Sequence, residues 1–333
     1  MELELNFLID AIVSSLMAGI GISEFEAEEI SGLGWSELMQ LLPITNRLRE
    51  EKFGNEVRLC GILNAKSGRC GEDCKFCAQS GFWRTGVESY GLLSKEEIID
   101  AAVRAKKNGA REFSIVTSGK EIKNDSELER ICEAVKEISS LGLEPCASLG
   151  ILSRENLVRL KQSGLVRYHH NLESSEKFFP QICTTHSWKE SYETAKSAKE
   201  LGLKLCCGGI FGLGEAWSDR AELAMQLSSL KPDSVPLNFL IPIPGTPLEN
   251  QARLSPLDAL KLIMIFRLAL PESDIIICGG REEILGDFQS WIFACGATGF
   301  IIGDYLTRKG RSPEQDLKML QDLGLGLRAL GGT

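Results

Sequence analysis

Three cysteines lie close together in a short segment that reads Cys70-Gly-Glu-Asp-Cys74-Lys-Phe-Cys77. Three thiolates on one loop can hold three irons of a four-iron cubane, and they leave the fourth iron without a nearby cysteine. An open metal position is usually where a substrate or cofactor binds. Structural zinc is the alternative, but such a site takes four closed ligands, and the sequence has no second C-x2-C pair. These three residues, called the loop cysteines below, therefore predict a reactive iron–sulfur cluster.

The overall composition agrees with thiolate chemistry. The chain has 333 residues with eleven cysteines and three histidines, so a metal site must depend mainly on sulfur ligands. The net charge is −9 and no basic run is present, which argues against nucleic acid and anionic membranes as partners. The apolar stretch Phe7–Ile22 carries Asp10 and follows acidic residues, so we interpret it as an amphipathic helix and not as a secretory signal. We therefore expect a cytoplasmic protein without a disulfide framework.

The elements that must position the loop cysteines alternate between strand and helix. Residues 1–50 have helical patterns and form a predicted N-terminal helical segment, and residues 51–333 form the predicted catalytic barrel with a C-terminal tail. Eight strand-like apolar runs follow, at Val57–Asn64, Glu112–Thr117, Glu144–Leu149, Val166–Asn171, Lys204–Phe211, Ser234–Ile241, Ile275–Cys278 and Gly299–Ile302. Helical stretches separate them, and one of these begins with a capping box of Ser94 and Glu97.

Eight strand–helix units predict an α/β fold, a (β/α)8 TIM-type barrel with an N-terminal helical extension. An open doubly wound sheet is the competing arrangement, but no dinucleotide-type glycine loop follows the first strand. Chemistry in a barrel lies at the C-terminal ends of the strands, and the loop cysteines follow the first strand.

The three-cysteine motif, with the aromatic Phe76 before the third cysteine, resembles the radical S-adenosylmethionine (SAM) superfamily. A second segment, Gly208-Gly-Ile-Phe-Gly-Leu-Gly-Glu215, is similar to the G-x-I-x-G-x-x-E motif of that superfamily. The resemblance implies a 4Fe–4S cluster that binds SAM on its open iron and releases a 5′-deoxyadenosyl radical. An ordinary glycine-rich strand end is the plain alternative for the second segment.

Further segments resemble the biotin synthases in particular, in unbroken order over roughly residues 40 to 326. They are Asn64–Ser80, Tyr168–Glu173, Thr184–His186, Ser234–Asn238 with Gly245–Pro247, Gly280–Glu282, and Gly303–Thr307 with Gly310–Ser312. The resemblance implies sulfur insertion into dethiobiotin to form biotin, with a flavodoxin- or ferredoxin-type electron donor and a homodimer. Two unactivated C–H bonds must each lose a hydrogen atom, which no side-chain base can achieve.

The match to biotin synthases also implies residue roles. Asn171 and Asn238 would bind the ureido ring of dethiobiotin, and His169, where the family usually has asparagine, would be a further substrate contact. Strand-end hydrogen bonding is the plain alternative for both asparagines. Contacts to SAM are implied for Phe76, Ser118, Glu173, Ile210 and Ile241, with Glu173 on the ribose hydroxyls and Ile210 on adenine. Ser191 stands where an arginine often meets the SAM carboxylate, so another group would neutralise it.

Biotin synthases usually hold a 2Fe–2S auxiliary cluster with three cysteines and an arginine, and this sequence departs from that pattern. Two cysteine ligands match Cys146 and Cys206, and the arginine matches Arg281, a candidate catalytic residue. The remaining cysteine position is occupied by Ser114.

Two additional cysteines change the expected ligand set. Cys60 lies in the first predicted strand and Cys278 in the seventh, so strands one, three, five and seven each carry one cysteine. Barrel interiors fill in layers of four side chains from alternate strands, which would place Cys60, Cys146, Cys206 and Cys278 in one layer. We hypothesise that these four, called the barrel cysteines below, hold an auxiliary four-iron cluster as the sulfur source, with 2Fe–2S as the alternative. Inert core packing is the plain interpretation of each one.

Two other function classes remain open from the residues. One is a biotin-synthase-like radical SAM enzyme with another small substrate, of the hydrogenase-maturation or methylornithine type. The other is a non-catalytic iron–sulfur sensor. Cys146, Cys206 and the two asparagines favour sulfur insertion, and no partner-binding module indicates a sensor.

Overall fold

The N-terminal part of the chain folds into three helices that pack against one side of a barrel. A computed structural model describes residues 2–329. The helices are Glu2–Met17 (α1), Glu24–Gly32 (α2) and Trp35–Phe53 (α3). Helix α2 begins with a capping box in which Ser23 and Glu26 bind each other's backbone amides. The division of the chain into residues 1–50 and 51–333 stays a prediction.

Parallel strands form the centre of the molecule. They are Glu56–Lys66 (β1), Glu112–Thr117 (β2), Glu144–Ser148 (β3), Arg167–His169 (β4), Lys204–Cys206 (β5), Gly209–Phe211 (β6), Ser234–Phe239 (β7), Asp274–Ile277 (β8), Gly299–Ile301 (β9) and Gly326–Leu327 (β10). Strands β5 and β6 are two halves of one barrel strand, because both pair with β7. Strand β10 pairs with the beginning of β1.

The sheet closes on itself, since β1 pairs with β2 on one side and with β9 on the other. This closure confirms the (β/α)8 barrel and shows that the open doubly wound alternative is wrong. Gly299 permits the closing contact: a Cβ at this position would lie 2.2 Å from the carbonyl oxygen of Arg58, which no side chain tolerates.

Helices between the strands cover the outside of the barrel. They are Lys95–Lys107 (α4), Asp125–Ser140 (α5), Arg154–Gln162 (α6), Trp188–Glu200 (α7), Trp217–Leu230 (α8), Pro256–Ala269 (α9), Arg281–Leu285 (α10), Trp291–Ala294 (α11) and Pro313–Asp322 (α12), with short 3-10 turns at Phe179–Gln181 and Gly286–Phe288. The predicted capping box of α4 is present, with Ser94 accepting from the amide of Glu97 at 3.2 Å. Among residues 2–329, no helix is both long and apolar enough to cross a bilayer.

Side chains alternate between the outer face of each barrel strand, which packs against the helices, and the inner face, which lines the barrel. Outward residues such as Leu59, Phe113 and Leu237 are buried between the strands and the helices. Inward residues of the same strands, such as Cys60 and Ser114, line a central cavity. The chemistry of the molecule therefore depends on which residue types occupy the inward positions.

Candidate active site

A cavity of about 480 Å³ opens at the C-terminal ends of the barrel strands. Its size lies within the range of small-molecule sites. All seven cysteines of the two predicted sets line it: the loop cysteines Cys70, Cys74 and Cys77, and the barrel cysteines Cys60, Cys146, Cys206 and Cys278. The barrel thus brings together residues that are up to 218 positions apart (278 − 60).

The loop cysteines follow strand β1 in a tightly bonded loop. The amide of Cys70 donates to the carbonyl of Gln79 at 3.0 Å, and the amide of Cys77 donates to the carbonyl of Cys74 at 3.1 Å. The indole of Trp83 donates to the same Cys74 carbonyl at 3.0 Å. All three cysteines are free thiols. This donor set of three sulfurs on one fixed loop fits a cubane with one open iron.

The barrel cysteines lie deeper, and their thiols are close enough to influence one another's ionisation. The interacting pairs are Cys60 with Cys146, Cys206 and Cys278, and Cys206 with Cys146 and Cys278. Burial raises the pKa of Cys146 to about 12, and the Arg167 guanidinium opposes this shift. A cluster of buried thiols that resists ionisation in the metal-free protein is a donor set that a bound metal would deprotonate.

Cys206 and its neighbour Cys207 face opposite sides of strand β5. Cys206 lines the cavity, whereas Cys207 is fully buried in the packing between strands and helices. This is the orientation that strand alternation predicts. Of the other cysteines, Cys132 lies on α5 and Cys295 at the end of α11, and neither lines the cavity.

A charged layer forms the floor beneath the barrel cysteines. Arg58 contacts Glu112 and binds Asp274 at 2.7 Å, and Arg167 lies 3.4 Å from Glu112. All four side chains are less than 10% exposed. The two arginines oppose the effect of burial on the pKa of Cys60, because positive charge favours a thiolate. The hydroxyl of Ser114, the residue at the missing ligand position, has no hydrogen-bond partner.

The residues predicted to contact SAM all line the cavity. They are Phe76, Ser118, Glu173, Ile210 and Ile241. Glu173 has a positive φ of 64°, and its carbonyl accepts from the amide of Ile210 at 2.8 Å. Burial raises the pKa of Glu173 to about 7, and the hydrogen bond from Asn171 opposes that shift. Ser191 also lines the cavity, as does Lys120, which binds the neighbouring Glu190 at 2.9 Å.

The residues predicted to contact the substrate form a chain along strands β4 and β7. The Oδ1 of Asn171 lies 3.0 Å from His169 Nε2 and accepts from the amide of Gly208 at 3.1 Å. Asn238 donates to the carbonyl of Gly209 at 3.2 Å and accepts from the amide of Gly279 at 3.0 Å. Strand-end hydrogen bonding is therefore present at both asparagines. It fixes each amide: Asn171 keeps one N–H for the cavity, and Asn238 keeps one N–H and one acceptor lone pair.

Arg281 is the one predicted site residue that the barrel does not bring to the cavity wall. Its guanidinium forms a two-point ion pair with Asp316 on α12, at 2.7 and 3.1 Å, and stacks over the Phe300 ring. The side chain is 1% exposed. The guanidinium is thus tied to α12, whereas its Nε has no hydrogen-bond partner and its charge still acts on the Cys278 thiol, so the role of Arg281 stays a prediction.

Sequence reasoning gave no role to Cys183, which lies beside the loop cysteines. Its sulfur is 3.7 Å from that of Cys74 and 3.2 Å from Nδ1 of His186. The hydrogen bond from Cys74 lowers the pKa of Cys183 to about 4, while burial opposes the shift. Residues 74 and 183 are 109 positions apart, so only the folded barrel reveals the pair.

Comparisons with known proteins agree with this arrangement. Residues 65–227 match the model of the Radical SAM superfamily, and residues 236–326 match the Biotin and Thiamin Synthesis associated domain. The chain is 48% identical to the biotin synthase of Trichlorobacter lovleyi over 318 residues, covering 95% of this chain and 96% of the relative. It is 47% identical to the biotin synthase of Geobacter metallireducens over 329 residues, covering 98% and 99%.

A solved structure of methylornithine synthase has the same fold. It superposes with a TM-score of 0.83 at 20% identity, covering 96% of this chain and 98% of that one. At this identity the likeness concerns the fold alone.

Proposed function

The chain belongs to the biotin synthase family of radical SAM enzymes, and we propose how its own residues carry the insertion of sulfur into dethiobiotin. It is a radical SAM sulfurtransferase that takes a 4Fe–4S cluster together with SAM. An enzyme of this fold acting on another small substrate, or a non-catalytic sensor, is not favoured by these relatives. The observation that carries the proposal is the placement of two separate thiol sets on the wall of one cavity.

We assign the 4Fe–4S cluster to the loop cysteines. When bound there, the cluster and SAM supply a 5′-deoxyadenosyl radical that takes hydrogen atoms from unactivated carbon. The chain holds the three thiols on a hydrogen-bonded loop that lines the cavity, and these thiols would bind three irons of the cluster. Glu173 accepts from the ribose hydroxyls of SAM, and Ile210 and Ile241 offer apolar surface for adenine. Lys120 supplies positive charge near Ser191 for the SAM carboxylate.

The asparagines orient the substrate. The ureido ring of dethiobiotin has N–H donors and a carbonyl acceptor, and a primary amide offers the complementary groups. Asn171 lies two residues beyond His169, whose strand partner is Cys206. A ureido ring bound to Asn171 and Asn238 would therefore lie at the level between the barrel cysteines and the loop cysteines. The mostly apolar cavity excludes water from the radical.

We further propose that the barrel cysteines hold an auxiliary four-iron cluster that supplies the sulfur atom. The electrostatic interactions of Cys60 and Cys206 with each other and with both Cys146 and Cys278 support this ligand set. The 2Fe–2S alternative is less well supported, because Arg281 is engaged by Asp316 and Ser114 offers no thiolate.

A flavodoxin- or ferredoxin-type donor, a homodimer and a cytoplasmic location complete the proposal. A low-potential cluster with an open iron needs a reducing compartment and a protein reductant.

The first experiment tests the reaction. Anaerobic protein with both clusters reconstituted is reduced and given SAM and dethiobiotin, and both 5′-deoxyadenosine and biotin are measured. We expect both products from the wild type and neither from Cys74→Ser. Cleavage of SAM by the wild type without any biotin would contradict the assignment of the substrate.

The second experiment tests the auxiliary ligands by iron and sulfide analysis with Mössbauer spectra. The wild type should hold about eight irons per chain, and Cys278→Ser about four. Cys132→Ser is the matched control, because that thiol lies on α5 outside the cavity and should leave the iron content unchanged. A 2Fe–2S spectrum that persists in a Cys60→Ser/Cys278→Ser double variant would refute the four-cysteine set.

A further inference from the structure

A compact group of metal-binding side chains lies next to the loop cysteines and is not explained by either cluster. It consists of Cys74, Cys183 and His186, whose ligand atoms all lie within 4.8 Å of one another. Among residues 2–329 this is the one group of three thiol, imidazole or carboxylate ligands packed so closely. Cys183 and His186 lie in the loop between the 3-10 turn Phe179–Gln181 and helix α7.

The distances match ligands that share a single ion. A tetrahedral metal with bonds of about 2.3 Å to sulfur and about 2.0 Å to nitrogen places two sulfurs about 3.8 Å apart and a sulfur and a nitrogen about 3.5 Å apart. The sulfurs of Cys74 and Cys183 are 3.7 Å apart, and Cys183 Sγ lies 3.2 Å from His186 Nδ1. Thiolates on different irons of a cubane point away from the centre of the cube, so they stand much farther apart. Cys183 is therefore badly placed to be a fourth cubane ligand and well placed to share one ion with Cys74.

The surroundings hold this geometry in place. The amide of Lys75 donates to the carbonyl of Ile182 at 2.9 Å, which ties the two loops together beside the thiols. Cys183 is 3% exposed, and the His186 ring packs edge-on against Phe179. Glu72 accepts at 2.6 Å from His186 Nδ1, the same nitrogen that faces Cys183.

Glu72 is not among the side chains whose ligand atoms lie within 4.8 Å of one another, so the fourth position is left to water. Once the imidazole lone pair binds a metal, its hydrogen bond to Glu72 is lost. Thr185 donates to the same carboxylate oxygen at 2.7 Å and keeps the side chain in this place.

We propose that Cys74, Cys183 and His186 form a mononuclear tetrahedral site for a divalent transition-metal ion, Fe²⁺ or Zn²⁺, which fills when the loop cysteines hold no cluster. Binding exchanges two thiol protons for the ion, M²⁺ + 2 R–SH + imidazole giving M(SR)₂(imidazole) + 2 H⁺, with no change of oxidation state. Because Cys74 would also be a cubane ligand, the mononuclear ion and the cubane exclude each other. This exclusion rests on the proposed cubane role of Cys74, whereas the ion site rests on its own geometry.

Co²⁺ is the probe for the site. The full-length chain is freed of clusters anaerobically, in a Cys146→Ser/Cys206→Ser background that removes competing barrel thiols, and titrated with Co²⁺. We expect one equivalent to bind with thiolate-to-cobalt charge transfer and the intense visible bands of tetrahedral Co²⁺. Zn²⁺ should displace it, and Fe²⁺ should compete more weakly, in the order usual for such ions.

Paired variants separate this site from the cubane. Cys183→Ser and His186→Gln should each weaken Co²⁺ binding by about tenfold or more, whereas Cys70→Ser/Cys77→Ser should retain the tetrahedral spectrum. Under cluster assembly conditions the pattern should reverse: Cys183→Ser still gains the loop cluster, and Cys70→Ser/Cys77→Ser does not. Cluster assembly shows that Cys183→Ser is folded, and the retained Co²⁺ spectrum shows that Cys70→Ser/Cys77→Ser is folded.

The same site predicts a kinetic effect of zinc. One equivalent of Zn²⁺ added first should slow cluster assembly in the wild type and have little effect in His186→Gln. Retention of Co²⁺ binding by Cys183→Ser and His186→Gln, together with its loss in Cys70→Ser/Cys77→Ser, would overturn the proposal, because the loop cysteines alone would then hold the ion. No tetrahedral Co²⁺ spectrum in the parent protein, or a Cys74–Cys183 disulfide under the anaerobic conditions, would overturn it as well. Each of these outcomes leaves the SAM cleavage test of the proposed function unaffected.

Discussion

Arg58→Met is expected to destabilise the barrel, because it removes the cation that joins two carboxylates in the charged floor. Arg58 contacts Glu112 and lies 2.7 Å from Asp274, and its side chain is 7% exposed. Removing one partner of a buried ion pair costs about 3–5 kcal/mol when the remaining charge stays unpaired. Glu112 keeps Arg167 and Asp274 keeps Arg328, so we expect a smaller loss of about 2 kcal/mol. Methionine has a similar length, so the loss of packing is small.

The expected change in melting temperature follows from the size of the chain. Unfolding entropy of about 2.1 cal/mol/K per residue gives roughly 0.7 kcal/mol/K for 333 residues, so about 2 kcal/mol lowers the Tm by roughly 3 °C. The matched control is Arg47→Met, whose ion pair with Glu51 has side chains that are 80% and 60% exposed. Such an exposed pair is screened by water, so the Tm of Arg47→Met should stay close to that of the wild type.

Thermal unfolding of the metal-free protein by circular dichroism is the assay. Arg58 acts against the effect of burial and lowers the pKa of Asp274 below its ordinary value of 3.8. The stabilisation from that carboxylate is present above pH 3.8 and is lost as the pH falls through the lowered pKa, so the difference between variant and wild type should narrow in acid. Equal Tm changes for Arg58→Met and Arg47→Met would refute the claim that the floor is a paired, desolvated network.

Three further predictions concern the cavity wall. Glu173→Gln should become more stable relative to the wild type as the pH rises from 4.5 to about 7, by on the order of 2 kcal/mol. The reason is that the folded wild type holds Glu173 with a raised pKa, so ionisation of this carboxyl destabilises the fold. Equal differences in urea midpoint between the two proteins at pH 5 and pH 8 would contradict this. Asn238→Ala should raise the KM for dethiobiotin by about tenfold and leave the Kd of SAM unchanged, and equal effects on both ligands would argue against a substrate contact. Gly209→Ala should weaken SAM binding at least about tenfold in equilibrium dialysis, because a Cβ would lie 2.7 Å from the Glu173 carbonyl oxygen. The control is Gly71→Ala, where a Cβ meets nothing within 4 Å. Equal Kd values of SAM for the two variants would count against the reasoning.

The barrel and the cavity cysteines could be predicted because their signals are local and periodic. Eight apolar runs separated by helical stretches predict strands, and cysteines at inward positions of alternate strands predict a shared layer. The strand register places Cys60, Cys146 and Cys206 in one layer with Ile276, so the expectation was wrong for Cys278, which lies two residues further along its strand. The break between β5 and β6 was not predicted. Gly208 lies at this break, and a Cβ there would lie 2.1 Å from the carbonyl oxygen of Pro236, a contact that only the folded sheet reveals.

Other features depend on partners distant in the sequence. Arg281 matches a family ligand by local motif, yet its guanidinium is bound by Asp316, 35 residues later on α12. Cys183 likewise acquires its neighbours only when the loop before α7 folds over the loop cysteines. Motifs indicate which residue types are available, whereas the packing of later elements decides which way a long side chain points.

The claim that the sulfur of biotin comes from the barrel cysteines' cluster is tested most directly with isotopically labelled sulfide. Protein reconstituted with ³⁴S-sulfide is given SAM, reductant and dethiobiotin, and the isotopic mass of the biotin formed is measured by mass spectrometry. We expect ³⁴S-biotin from the wild type, and none from Cys60→Ser/Cys278→Ser although its loop cysteines still hold about four irons. Biotin carrying sulfur of natural isotopic abundance, or labelled biotin from the double variant, would contradict the account.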